Sequence, residues 1–149
     1  MNHETFMREA LALAEEAAAH GEIPVGAVIV KDDKIIAKGR NDREETRSPL
    51  GHAELRAIEE AARVLGDWRL TGCTLYVTLE PCPMCAGAIL NARLDAVVYG
   101  AADPAAGCMG SRLNLAHLDL GAAPRIKAGI LGEECQALLS RFFAERRSS

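Results

Sequence analysis

The sequence predicts an α/β protein in which one β-sheet is covered by helices on both faces. An amphipathic stretch opens the chain, two short apolar runs joined by a polar turn follow, and apolar runs then alternate with helical patterns. This order of elements is typical of helices packed on a sheet. Because the 149 residues contain no repeat, no low-complexity tract and no linker, we expect a single domain, residues 1–149.

The first elements are a helix and a hairpin. Residues 2–20 have a helical apolar side and end at His20-Gly21, where glycine suits the C-cap. Pro24 to Val30 and Ile35 to Lys38 are predicted strands, joined by the polar turn Lys31-Asp32-Asp33-Lys34.

A polar surface loop, a helix, a buried strand and a second helix are predicted next. The loop is Asn41 to Pro49, and the helix after it opens at His52. The apolar stripe of that helix has three- and four-residue steps: Leu55, Ile58, Ala62 and Leu65. Thr74 to Leu79 predicts the buried strand, and Met84 to Ala92 the second helix.

The last part of the chain predicts two strands and a final helix. Leu94 to Gly100 is an apolar strand, and Ala101 to Gly110 is a glycine-rich loop. Arg125 to Ile130 predicts a short strand, and Glu133 to Arg147 a helix. The apolar side of this helix is formed by Leu138, Leu139, Phe142 and Phe143.

The segment Pro81-Cys82-Pro83-Met84-Cys85 joins the buried strand to its helix. Proline suits the first helical position, which places Cys82 at the cap and Cys85 in the first turn. Free N–H groups and the dipole at a helix start favour thiolates, so both sulfurs should ionise easily. Such a pair is half of a metal site; a redox dithiol and an incidental pair are the alternatives.

The second half of a metal site is found in His52-Ala53-Glu54. A lone histidine near a helix start is more often structural, and residues two apart diverge in mid-helix because each step rotates by about 100°. At the helix entrance, however, both side chains can face one point. One histidine and two cysteines would leave a tetrahedral zinc with one open position, which is the catalytic pattern.

These motifs together resemble a known enzyme family. They comprise His52-Ala53-Glu54, Pro24 to Val28, Asn41, Leu75 to Cys85, Cys85-Ala86-Gly87-Ala88 and Gly132 to Phe143. The set resembles the zinc-dependent cytidine and deoxycytidylate deaminase superfamily and is most similar to bacterial tRNA adenosine deaminases, over nearly the whole chain. The resemblance implies the three-layer α/β/α cytidine-deaminase-like fold, with a central mixed sheet of about five strands.

The resemblance also implies a reaction. Adenosine at the wobble position of a tRNA anticodon loop would be hydrolysed to inosine, with the base flipped from a single strand. One Zn²⁺ per chain would be held by His52, Cys82 and Cys85, and Glu54 would move protons. The family is homodimeric, so a homodimer is expected.

Three substrate contacts follow from the resemblance: Asn41, Ala53 and Asp103. The Asn41 amide can both donate and accept hydrogen bonds, which suits a purine edge. Asp103 has a competing interpretation as a turn-forming residue before Pro104. Gly26 and Ala27 let another group approach the first strand closely, and that group is either a flat base or a packed helix.

Three positions depart from the family pattern: Ser48, Leu50-Gly51 and Gly121-Ala122-Ala123. None of them is part of the zinc chemistry. The departures at Leu50-Gly51 and at Gly121-Ala122-Ala123 concern how the protein would bind the anticodon loop.

The composition limits which cellular compartment and which binding partners we expect. The net charge of −4 argues against a broad nucleic-acid surface, although a local basic patch remains compatible. Five cysteines argue against a disulfide framework. We find no membrane-spanning run and no signal-peptide pattern, so we expect a cytoplasmic protein without a membrane partner.

Alternative functions remain at this stage. The nearest is a zinc-dependent deaminase of a free base or nucleoside, such as guanine or cytosine, which the acidic composition favours. The ending Phe142-Phe143 with Arg146-Arg147, and the Asp103 loop, favour RNA instead. A redox dithiol protein and a non-catalytic zinc-stabilised binding module belong to other classes. We interpret Trp68 as a packing or subunit-contact residue.

Overall fold

A computed structural model of the chain describes residues 2–121 and 123–148. In chain order the helices and strands of these residues are α1 (His3–Ala19), β1 (Gly26–Lys31), β2 (Lys34–Arg40), α2 (Arg43–Thr46), α3 (Ala53–Leu65), β3 (Thr74–Leu79), α4 (Pro83–Asn91), β4 (Ala96–Ala101), a 3₁₀ turn (Leu115–His117), β5 (Arg125–Lys127) and α5 (Gly132–Ser148). None of these helices combines the length and the apolar character needed to cross a membrane.

The sheet is mixed and has five strands in the described part of the chain, in the order β2-β1-β3-β4-β5. Strand β1 runs antiparallel to β2 and β3, whereas β3, β4 and β5 are parallel to one another. The carboxyl ends of β3 and β4 therefore lie at the same edge, where sites form in sheets of this kind.

Residues of the central strands β1 and β3 alternate between two apolar cores. On β1, Ala27 and Ile29 belong to the core beneath α3 and α4. Val28 and Val30 belong to the core beneath α1 and α5. The sheet is thus covered on both faces, and the predicted three-layer α/β/α arrangement is confirmed.

The hairpin turns at Asp32 and Asp33, whose φ angles are 51° and 60°. Two consecutive positive φ angles match the twist of a tight hairpin, and aspartate tolerates this conformation better than most residues. The predicted hairpin is confirmed, but Lys31 and Lys34, which were predicted as part of the turn, pair as the last residues of the two strands.

Gly26 on β1 is where α1 packs against the sheet. A Cβ atom at Gly26 would overlap the carbonyl oxygen of Ala10. Of the two interpretations of this glycine, packing against a helix is therefore confirmed, and the close approach of a base is not. Gly39 on β2 has the same role toward α3, because a Cβ there would overlap the carbonyl oxygen of Ala53.

This close approach corrects the predicted stripe of α3. The fully buried face of the helix consists of Ala53, Ala57 and Ala61, together with Glu54. The predicted residues Leu55, Ile58, Ala62 and Leu65 are only half-buried. Gly39 brings α3 so close to β2 that only alanine side chains fit between them. The larger apolar residues therefore lie on either side of this buried face.

The prediction for α5 was also partly wrong. Leu138, Leu139 and Phe142 are buried, but Phe143 is 41% exposed. Phe143 contacts Phe142 edge to face, with the ring centroids 5.5 Å apart. Phe143 therefore lies at the border between the core and the surface.

The predicted loop from Asn41 to Pro49 contains the short helix α2. The carboxylate of the buried Glu22 accepts hydrogen bonds from the backbone N–H groups of Glu44 (3.1 Å) and Glu45 (2.8 Å). These bonds satisfy two of the N–H groups that a helix start leaves unpaired. A residue about twenty positions upstream therefore stabilises the helix.

Two of the three departures from the family pattern lie in described segments. Leu50 is exposed, whereas Gly51 is buried against α2, where a Cβ would overlap the backbone of Arg43. Ser48 caps the turn by accepting a hydrogen bond from the Leu50 N–H. In the third departure, Ala122 lies outside the described residues.

Candidate metal and substrate site

The two predicted metal segments both lie at helix starts. His52 is the N-cap residue of α3, with an extended backbone (φ −99°, ψ 145°). Cys82 is the N-cap residue of α4 and Pro83 occupies its first turn, followed by Cys85. The placement predicted from the proline spacing is confirmed.

The three predicted ligands come together in one group. Nδ1 of His52 lies 3.6 Å from Sγ of Cys82 and 3.5 Å from Sγ of Cys85. All three donor atoms lie within 4.8 Å of one another. Zinc bonds of about 2.3 Å to sulfur and 2.0 Å to nitrogen place tetrahedral ligand atoms roughly 3.5 Å apart. The donor set and its spacing fit a zinc ion.

The electrostatics of the two cysteines differ. A hydrogen bond from the Cys85 thiol lowers the pKa of Cys82 to about 4 against the effect of burial, and His52 adds to the lowering. The same hydrogen bond, burial and the nearby Glu54 raise the pKa of Cys85. The prediction that both sulfurs ionise easily thus holds for Cys82 and is wrong for Cys85 without metal. A bound cation would displace the second proton.

Glu54 is buried beside this group, with 4% of its surface exposed. Burial raises the pKa of its carboxyl to about 7. A carboxyl in this range can accept and return a proton at neutral pH, as general acid–base catalysis requires.

A cavity of about 340 Å³ connects these groups. The predicted residues that line it are Asn41, His52, Ala53, Glu54, Cys82 and Asp103. Cys85 is fully buried. Of the predicted site residues it alone is not in the cavity wall. The structure therefore brings every predicted residue to one place.

Asn41 is 7% exposed and held from two sides. Its backbone N–H donates to the carbonyl of Val25 (3.1 Å), and its Oδ1 accepts from the backbone N–H of Arg43 (3.1 Å). Among the described residues no acceptor is bonded to its side-chain N–H groups. The amide can therefore offer a donor to a molecule in the cavity.

Asp103 forms the turn that was its competing interpretation. Its Oδ1 accepts from the N–H groups of Ala105 (3.1 Å) and Ala106 (3.2 Å). Because Asp103 also lines the cavity, the turn interpretation is confirmed and a substrate contact remains compatible with it.

The sequence of the chain matches a known family of deaminases. Residues 1–145 match the model of the MafB19-like deaminase family. The chain belongs to this family. It is 48% identical over 145 residues to a tRNA-specific adenosine deaminase of Bacillus subtilis (strain 168), a match that covers 97% of this chain and 90% of the relative.

Two solved structures extend the comparison. A structure from a study of A-to-I editing by tRNA:A34 deaminases at the wobble position superimposes with a TM-score of 0.88 at 40% identity, covering 91% of this chain and 99% of the other. A guanine deaminase from Nitrosomonas europaea gives 0.83 at 25% identity, covering 95% and 84%. Both agree with the predicted fold.

One charged residue in the cavity wall was not singled out from the sequence. Glu80 directly follows the last residue of β3, is 2% exposed and lines the cavity. Burial alone would raise its pKa, but hydrogen bonds from Ser111, Asp103 and Met109 hold the pKa of this carboxyl below its usual range. A charged residue that ends a buried strand must find partners, and this was the available signal.

The remaining predictions concern residues away from the site. Cys73, Cys108 and Cys135 are buried and lie outside the metal group. Trp68 is 56% exposed, and the guanidinium carbons of Arg69 and Arg93 lie 5.2 Å and 5.7 Å from its ring centroid. The ring thus packs against these two cations, and subunit contact stays a prediction.

Proposed function

We propose that this chain hydrolyses adenosine to inosine at the wobble position of a tRNA anticodon loop. The observation that carries the proposal is the convergence of His52, Cys82 and Cys85 on one point beside the buried Glu54. The 48% identity to a relative that is a tRNA-specific adenosine deaminase supports the choice of substrate.

His52, Cys82 and Cys85 would hold one Zn²⁺ per chain. When bound, the ion supplies a water of lowered pKa as the nucleophile that attacks the ring carbon bearing the amino group. Glu54 accepts the proton from this water and delivers protons to the ring nitrogen and then to the departing amine. Adenosine and water thereby become inosine and ammonia.

The cavity walls would hold the base. A flipped base is read by hydrogen bonds to its edge in a closely fitting pocket, and the cavity of about 340 Å³ suits one such group. The Asn41 amide would donate to the purine edge, while Ala53 and Asp103 would contact the nucleotide from the α3 start and from the loop after β4.

A deaminase of free guanine is the second candidate, because a guanine deaminase of Nitrosomonas europaea shares the fold with a TM-score of 0.83. Free guanine needs only the cavity, whereas a tRNA loop also needs contacts outside it. Exposed Phe143 and the basic end of α5, Arg146-Arg147, lie on the chain's surface and suit RNA.

The test offers the zinc-loaded protein a tRNA transcript with adenosine at the wobble position. A transcript with guanosine there, free adenosine, free guanine and free cytosine are the parallel substrates. We expect inosine in the first transcript alone. Ammonia from free guanine alone would establish the second candidate, and no product with any substrate would favour a binding module or a redox dithiol protein.

We further propose a homodimer in the cytoplasm with one folded domain per chain. Light scattering after size-exclusion chromatography measures the mass in solution, and a single cooperative unfolding transition supports one domain. A monomer at micromolar concentration would contradict the dimer.

A further inference from the structure

We propose that Glu80 is a positioning residue, whose carboxylate fixes the loop of residues 102–111 as a wall of the substrate cavity. The proposal rests on the proposed function, because this wall supplies Asp103 and Ala106 to the place where the target nucleoside would lie. Glu80 would act through the loop and not on the reacting atoms.

The carboxylate is surrounded by donors from the loop. Oε1 accepts from the backbone N–H of Asp103 (3.0 Å) and from the hydroxyl of Ser111. Oε2 accepts from the backbone N–H groups of Met109 (3.1 Å) and Ser111 (3.0 Å). A carboxylate has about four acceptor sites, so its capacity is filled by the protein.

Because its acceptor sites are filled, Glu80 differs in role from Glu54, the other glutamate in the cavity wall. With four donors bound to Glu80, no lone pair is left for a proton from water or substrate. Glu54 has no comparable set of donors from the loop and stands beside the metal group. Proton transfer therefore falls to Glu54, and Glu80 holds the geometry.

The loop is attached to the chain segment that leads to Cys82. The backbone N–H of Glu80 donates to the carbonyl of Ala101 (2.9 Å), and that of Cys108 donates to the carbonyl of Pro81 (2.8 Å). Gly107 packs directly on the Glu80 carboxylate, where a Cβ would overlap it. The loop and the metal-ligand segment thus form one unit.

The second half of the loop is also held by packing, because Cys108 and Met109 are buried in the core beneath α3 and α4. Its secondary structure among the described residues is limited to turns and an isolated bridge between Met109 and Asn114. Residues 102–106, in contrast, are exposed or half-buried, so apolar burial contributes little to the position of Asp103. The bond from the Asp103 N–H to the buried carboxylate, which also binds Met109 and Ser111, therefore ties the exposed half of the loop to its buried half.

Glu80→Gln tests this with little change of shape. The amide replaces one acceptor oxygen by a donor, which faces loop N–H groups that are donors themselves. Ser111→Ala removes a single donor and leaves the carboxylate, so it should act in the same direction and more weakly. Glu9→Gln, on the exposed side of α1, is the matched control.

The measurements are KM and kcat on a wobble-adenosine stem-loop, zinc per chain, and amide hydrogen exchange of the loop. For Glu80→Gln we expect KM to rise about tenfold, the effect of one charge-assisted hydrogen bond left unmade. We expect kcat per bound zinc and the zinc content to stay near those of the parent, and exchange at residues 103, 109 and 111 to become faster.

Unchanged KM and unchanged exchange in Glu80→Gln would overturn the proposal. A fall in kcat at constant KM would also overturn it, because that result assigns Glu80 to the reaction itself. If Glu80→Gln does not fold, the KM and loop exchange of Ser111→Ala decide. If the parent chain forms no inosine, the proposed function fails, while loop exchange in the zinc-loaded variants still tests the positioning.

Discussion

His52 is the N-cap residue of α3 and Glu54 is the second residue of that helix, yet both side chains line one cavity. In mid-helix two such residues would lie about 200° apart around the axis. The extended backbone of His52 removes this divergence. A metal ligand and a proton carrier can thus be held by three consecutive residues, provided that they start a helix.

Glu54→Gln should abolish deamination while leaving the metal and the substrate bound. The amide cannot shuttle protons, and general acid–base catalysis contributes about 10²- to 10⁴-fold to a rate. Single-turnover inosine formation, measured with zinc content and stem-loop affinity, checks this. Glu60→Gln on the same helix is the control. Activity within a few-fold of the parent in Glu54→Gln would assign the proton transfer elsewhere.

Asn41→Asp should separate two roles of Asn41. The carboxylate keeps an acceptor for the N–H of Arg43 but removes the side-chain donor that we assign to the purine. We expect kcat/KM to fall by about 10- to 100-fold, as for a buried hydrogen bond left unmade. Asn41→Ala, which loses both contacts, should fall further. If Asn41→Asp retains full kcat/KM, the amide does not contact the substrate.

Cys82→Ala should lose zinc, because the residue supplies the sulfur that is ionised most easily. The two remaining donors, His52 and Cys85, leave an incomplete site. Cys73→Ala is the matched control, since Cys73 is buried away from the metal group. Zinc per chain after dialysis, measured by mass spectrometry, is expected to fall for Cys82→Ala and to remain near one for Cys73→Ala. Equal zinc in the two variants would remove Cys82 from the site.

Gly39→Ala should destabilise the fold, because its Cβ would push against the first turn of α3 at Ala53. Overpacking of this kind costs about 1–3 kcal/mol. Gly87→Ala, at an exposed position of α4 with open space around it, should instead stabilise by about 0.5–1 kcal/mol. Urea unfolding gives both free energies. Equal stability of the two variants would contradict the packing described for Gly39.

The strands, the main helices and the metal ligands could be predicted because each depends on a local pattern. Thr74 to Leu79 is apolar throughout and bounded by turn residues, and Pro83 marks the start of α4. The ligands stand at two such boundaries. Their convergence follows from the sheet order, because β1 is antiparallel to both β2 and β3, so the chain leaves β2 toward α3 and β3 toward α4 at the same edge.

The features that were missed depend on distant residues. Helix α2 has four residues and no apolar side, and it is held by Glu22. The role of Glu80 lies in bonds to a loop more than twenty residues away. The alanine face of α3 is invisible in a pattern search for large apolar residues, because Gly39 on another element selects small ones.

X-ray absorption at the zinc edge of the purified protein tests the central claim most directly. We predict one zinc per chain, bonded to two sulfurs at about 2.3 Å and to one imidazole nitrogen at about 2.0 Å, with a light-atom ligand in the fourth position. The two-sulfur signal should be lost in Cys82→Ala. A zinc bonded to four sulfurs, or protein that binds no zinc when the metal is supplied, would contradict the account.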